Sequence, residues 1–374
     1  MRLALAGDRT AVPAGLLRAP LRAALVLVAS VAHADDYAGG SVIFARGTSL
    51  YRVDPNGRGE TEVATLEKKA AVRALRTDAA GQILLADIGG AWAWMRLDGS
   101  VKTLADLPCG DGPAQLTEDA SCVVCRAKSG PGSIIFNFKL DKAFPVDVPA
   151  TRIVGEDKQR KLVWADRTGI WAAPVGDPKK KTKLAPEAPL RGFLPSPDGA
   201  RALGVYADEI YVDAHHKKPA EVLQNFALDG DGARRKVIKD GVPLEWSHDA
   251  QWALVQDGAS ACLLKASGGE YKCWKGYTAA SVAPDGKWIL VLGNRDAKAA
   301  AKVKPKVAPK AKPIEPSEEP EEAGSGTEED VAVAPPTGPL ALYRGKLEGA
   351  FTEPPVAIVK IVDGAAVWVP AAAK

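Results

Sequence analysis

One short phrase recurs along this chain and limits what it can become. It reads Ser-Pro-Asp-Gly from Ser196, Ser-His-Asp-Ala from Ser247 and Ala-Pro-Asp-Gly from Ala283, each followed by an aliphatic run. Pro presets the first turn angle, Asp and Gly complete a tight turn, and the β-branched and aromatic residues after it favour a strand. Weaker copies open at Thr77, Thr117 and Gly155. Their third positions fall at 79, 119, 157, 198, 249 and 285, with spacings of 40, 38, 41, 51 and 36 residues. A repeat of about 40 residues built from short strands is the signature of a β-propeller blade. The turn residues to follow are therefore Asp119, Asp157, Asp198, Asp249 and Asp285; in the Thr77 copy the Asp stands one position early.

The sequence between the turns obeys a four-strand grammar. Strands are expected at Ser41–Arg46, Ser49–Asp54, Glu62–Leu66, Val72–Arg76, Gln82–Asp87, Ala91–Leu97 and 101–104. Later ones are expected at Ser133–Leu140, Val146–Val148, Gly169–Val175 and Thr182–Ala185. In the long Ser196 repeat, Ile210-Tyr211-Val212 reads as the start of a third strand, with about ten extra residues between Asp213 and Arg235. The first block lacks a strand before Ser41 and the C-terminal segment, with runs at Val356–Val362 and Ala365–Pro370, has one to spare. Pairing them closes the ring and removes its exposed edges. The expected fold is all-β, a propeller of four-stranded antiparallel blades, seven by this count with six and eight left open.

Residues 1–34 read as a signal peptide. Arg2, Arg9, Arg18 and Arg22 form a basic leader, Ala23–Val31 is a short apolar run, and Ala32-His33-Ala34 fits the small-x-small cleavage rule. That run is too short for a permanent membrane anchor. Residues 35–374 then form one propeller domain. Residues 297–338, rich in Lys and Pro and then in Glu and Pro, hold almost no large apolar side chain and read as a disordered insertion in one blade loop. Deleting them is expected to leave the thermal midpoint nearly unchanged.

Five cysteines fit an oxidising compartment. Cys262 and Cys273 flank a Ser-Gly-Gly turn, so a hairpin sets them opposite each other as a disulfide. Cys122 and Cys125 stand three apart on one strand and face opposite sides, which argues against a metal or redox Cys-x-x-Cys site. Hairpin register brings Cys109 nearer Cys125, leaving Cys122 as a buried small hydrophobe.

Chemistry is sparse. His215 and His216 are adjacent and diverge on an extended chain; Asp229 and Asp231 sit in a Gly-rich loop without the rest of a calcium motif. His248 reads as a solvent-facing turn residue. The repeated Asp residues are held a blade width apart, too far for paired acid–base work. No serine-hydrolase elbow, zinc helix or phosphate loop is present, so no catalytic, cofactor or metal residue is assigned. A formal net charge of +3 argues against nucleic acid.

The turn phrases, with Asp208-Glu209-Ile210-Tyr211-Val212-Asp213 and Leu50-Tyr51-Arg52-Val53-Asp54-Pro55-Asn56-Gly57, resemble the repeats of TolB-type (WD40-like) propellers. The charged insertion has no counterpart in that family. The resemblance implies an exported, periplasmic or secreted propeller of a kind that often serves as a scaffold in envelope assemblies. The expectation is a monomeric, non-catalytic interaction module for envelope proteins or peptides. The alternative is an enzyme or a small-ligand or peptide binder using the central funnel, which requires polar residues converging at the channel entrance; the sequence by itself displays no such cluster.

Overall fold

The chain was analysed as a computed structural model that describes residues 40–66, 71–99, 103–155, 159–211, 216–228, 234–239, 241–267, 271–283, 288–294, 340–346 and 356–370. Among these, 28 strands form seven four-stranded antiparallel sheets, and each sheet is one blade of a closed propeller. Blade 1 combines Ser41–Arg46, Ser49–Val53 and Thr61–Thr65 with the C-terminal strand Ala366–Val369. Val42 pairs with Trp368 and Ile43 with Val367, so the ring closes within this blade. Blades 2 to 7 follow in chain order, each from four consecutive strands.

Burial grades outward through each blade. The first strands of neighbouring blades pack on one another and line the axis. Second strands are apolar on both faces because another blade covers each side: Ile83–Ile88, Cys122–Ala127 and Trp288–Asn294 are largely buried. Outer strands such as Thr61–Thr65 and Lys142–Val146 are mostly exposed. Seven buried apolar clusters result, one at each seam between neighbouring blades.

The outer strands are where the sequence expectations shift. The fourth strand of blade 2 is the short pair Ala105–Asp106 instead of 101–104, and that of blade 3 is Lys142–Val146 instead of Val146–Val148. A solvent-facing edge strand carries little apolar patterning to mark its ends. In blade 5, Ile210 and Tyr211 do not begin a third strand. They end the second, Arg201–Tyr211, which pairs with Lys217–Ala227 along 11 residues. The extra length of this repeat thus goes into an elongated hairpin. In blade 7, Trp288–Asn294 pairs directly with Leu340–Lys346, so the charged insertion joins two strands of one blade. Residues 297–338 themselves lie outside the described residues, as do 1–34, His215, Asp229 and Asp231.

Cys262 and Cys273 are directly opposite in blade 6, with Cα atoms 4.1 Å apart, and are disulfide-bonded. Cys109 and Cys125 are bonded across the first two strands of blade 3, with Cα atoms 5.7 Å apart, and Cys109 begins its strand. Their register is interrupted between Cys109 and Ala114, and this irregularity carries Cys109 toward Cys125. Cys122 is free and buried.

Candidate functional site

The site begins in the repeated turn. In blades 3, 5 and 6 the first residue of the phrase accepts a backbone hydrogen bond from the fourth: Ala120 N to Thr117 O, Gly199 N to Ser196 O and Ala250 N to Ser247 O, at 2.9–3.1 Å. The first hydroxyl also accepts from the strand beyond, at Cys122, Arg201 and Trp252 N. Asp119, Asp198 and Asp249 accept the amide two residues on, at 3.0–3.2 Å. The fourth residue is left-handed in all three, with φ of +57° at Ala120, +72° at Gly199 and +57° at Ala250. In blade 2 the turn starts at Asp78 rather than Thr77: Gly81 N donates to Asp78 O, and the Asp78 carboxylate accepts the amides of Gln82 and Ile83. Positions one, three and four are therefore committed to the turn. The second is left to face the axis.

Glu118 occupies that second position in blade 3, Pro197 in blade 5 and His248 in blade 6. All three line a cavity of about 690 Å³ at the mouth of the channel. His248 Nδ1 lies 2.6 Å from Glu118 Oε2, and Arg152 of blade 4 donates to Glu118 Oε1, also at 2.6 Å. Arg152 is nearly inaccessible and also reaches Pro195 O at 3.4 Å. Arg76 of blade 2 donates to Leu244 O in blade 6 at 3.4 Å. Glu245 of blade 6 adds a carboxylate to a gap of about 20 Å³, the space of a single water, that Arg76, Arg152 and His248 also line. Blade 3 and blade 6 are not neighbours, so these side chains bridge the axis. They plug the channel below the mouth.

The electrostatics follow from burial and pairing. Burial disfavours the His248 imidazolium, but the hydrogen bond and charge of Glu118 outweigh it, and the pKa rises above the ordinary histidine value. Burial opposes the Glu118 carboxylate, yet His248 and Arg152 together hold its pKa below the usual range. Glu245 goes the other way: burial pushes its carboxyl up, only partly offset by Arg76 and His248. Pairing with Glu118 thus favours the protonated form of His248.

His248 is thus not the solvent-facing turn residue that its neighbours suggest, because it reaches across the axis to Glu118. The polar convergence missing from the sequence reading is present, built by Arg76, Glu118, Arg152, Glu245 and His248. One signal points to it: Glu118 and His248 stand where the regular phrase has Pro197. Asp119 and Asp198 line the same mouth, although no hydrogen bond joins one turn Asp to another among the described residues. Asp157 and Asp285 lie outside the described residues. Asp257 comes near Cys262 and Cys273, but those sulfurs are bonded to each other and offer no thiolate to a metal.

No family model and no curated protein matches the chain. Solved structures similar to it include TolB from Acinetobacter baumannii, with 8% identity, a TM-score of 0.46, and coverage of 90% of this chain and 67% of that one. A putative TolB from Agrobacterium tumefaciens shows 10% identity, a TM-score of 0.41, and coverage of 90% and 99%. A chain of a nidogen/laminin complex shows 11% identity, a TM-score of 0.43, and coverage of 88% and 98%. The similarity stops at overall shape, and the chain's own strand pairing and closure identify it as a seven-bladed β-propeller.

Proposed function

We propose that the protein is an exported, non-catalytic binding propeller of the bacterial envelope, and that the channel mouth receives a basic segment of a partner protein. The observation that carries this reading is the mouth itself. A cavity of about 690 Å³ sits above the charged plug, with Glu118, Asp119 and Asp198 on its wall against Arg160 and His248. Asp119 is ion-paired with Arg160, whereas the exposed Asp198, and Asp249 in the same turn of blade 6, are in no ion pair among the described residues, so the rim carries an excess of carboxylate. Such a rim favours Lys and Arg on the partner and speeds its approach. Two disulfides support export, because such bonds persist in oxidising compartments.

Binding is favoured over catalysis by the state of the groups. Glu118 spends both oxygens on Arg152 and His248, and the Nδ1 of His248 is engaged by Glu118. The cavity volume also lies within the range of small-ligand sites, so a small cationic ligand is the second reading.

The test is retention of envelope proteins on immobilised wild type and on an Asp198→Asn/Asp249→Asn variant. A protein held by wild type and lost from the variant supports the proposal. Equal retention on both places the contact elsewhere. If nothing is retained, a thermal-shift screen with small cations is decisive: a shift confined to wild type selects the second reading, and none rejects the mouth as a site.

A further inference from the structure

A second concavity lies on the outside of the ring, between blades 3 and 4, with a volume of about 880 Å³. Its character is opposite to that of the mouth. The wall from blade 3 presents Leu140 and Phe144, 56% and 42% exposed, which are among the few large apolar side chains left in solvent. Pro145, Val148, Val175 and Pro178 extend the apolar floor. Lys179 and Lys181 stand on the blade 4 side; among the described residues neither is in an ion pair, and Lys181 Nζ lies 4.4 Å from the Trp171 ring centroid. Asp147 is the one acid lining the groove among the described residues, and on the adjoining turn Leu140 lies between the exposed Lys139 and the exposed Asp141, with Lys142 beyond. An apolar trough rimmed by unpaired cations matches a ligand that is both apolar and anionic.

The edge strand in this wall narrows the mode of binding. Lys142–Val146 is the outermost strand of blade 3, and Pro145 removes one backbone donor from it. Strand addition needs a row of such donors, so the trough is suited to side chains rather than to an added strand.

We propose that this groove is a peptide-docking site for a segment of a partner protein in which a large aliphatic or aromatic side chain is flanked by Asp or Glu. The apolar side chain seats against Leu140 and Phe144, and the carboxylates meet Lys179 and Lys181. This site takes a ligand of opposite charge from the basic segment assigned to the channel mouth, and Arg160, which lines both cavities, is ion-paired with Asp119 of the mouth.

The test pans a phage-displayed random dodecapeptide library against the immobilised full-length chain. The expected consensus holds one Leu, Phe or Trp beside at least two acidic residues. A synthetic peptide of that consensus should bind at least tenfold more weakly to Lys179→Glu/Lys181→Glu and to Leu140→Asp, and unchanged to Asp198→Asn/Asp249→Asn. All these positions are exposed, and an unchanged thermal midpoint verifies each fold. A consensus without acids, binding indifferent to the lysine pair, or no enrichment overturns the proposal. So does self-association abolished by Leu140→Asp, which makes a second copy the occupant. Lysine-dependent binding to phosphatidylglycerol vesicles without peptide enrichment overturns it in favour of a lipid surface.

Discussion

Between blades, the ring is held by aliphatic and aromatic side chains; on its axis it is held by five ionisable ones. At the seam of blades 7 and 1, Val42, Phe44, Leu290, Leu342 and Trp368 are essentially inaccessible. At the plug, Arg152 is also buried, at 6% exposure, but is tied by hydrogen bonds to Glu118 and Pro195. The seams use interchangeable chemistry seven times over, so each is a local variation on one solution. The plug is made once, from groups whose worth depends on their particular partners. A buried apolar side chain loses value in proportion to what is removed, whereas a buried charge becomes a liability when its partner goes.

The largest expected effect comes from the seams. Trp368→Ala empties a site 1% exposed and should cost about 4 kcal/mol in chemical denaturation. A cost below about 1 kcal/mol would mean that the closing strand adds little. Next, replacing both Cys262 and Cys273 by Ala should cost about 3 kcal/mol by loss of the cross-link, as should the Cys109/Cys125 pair. If neither change moves the midpoint, the blades are stapled by packing alone.

At the plug, Glu118→Gln should cost about 2 kcal/mol by leaving Arg152 without its ionic partner. Adding Arg152→Met should recover part of that loss, and simple additivity of the two changes would argue that they do not interact. The pH profile sharpens the point. The folded pKa of His248 is above its ordinary value of 6.5, so the native state holds that proton more tightly. Its contribution is full below 6.5 and is lost as pH rises through the raised value. For Glu118, whose folded pKa is lowered, the contribution is present above the ordinary carboxylate value and is lost as pH falls through the lowered one. Wild type should therefore lose stability as pH rises above 6.5 and through the raised folded value, by an amount that His248→Gln abolishes. A wild-type curve flat across that window would remove the ion pair from the account.

The smallest effect is a gain. Ala120 and Ala250 hold left-handed φ values where the sibling turn uses Gly199. Ala250→Gly should stabilise by about 0.5–1 kcal/mol, since relief of strain exceeds the added freedom of the unfolded chain.

The same contrast explains what could be read from the sequence. The seams were legible because they repeat: the turn phrase and the aliphatic second strands recur in register, and with them came blade spacing, closure and the free Cys122. Outer strands were blurred because solvent on one side removes the pattern that would mark their ends, as at Ala105–Asp106. The plug was hidden for the reverse reason. Arg76, Arg152 and Glu245 stand far apart in the chain and share no motif, and only the fold brings them together. Glu118 and His248 left a trace as departures from the phrase, but a departure does not say which way a side chain points.

The strand Ala366–Val369 does more than complete blade 1. Thr77 of blade 2 donates its hydroxyl to Trp368 O, so this last strand touches both the first and the second blade. A chain threaded outward from its N-terminus delivers Ser41–Arg46 at the start and the strand that covers it some 320 residues later. Throughout that interval the first blade shows an open apolar edge. Docking of Ala366–Val369 on Ser41–Arg46, rather than folding of any single blade, is then the event that covers that edge.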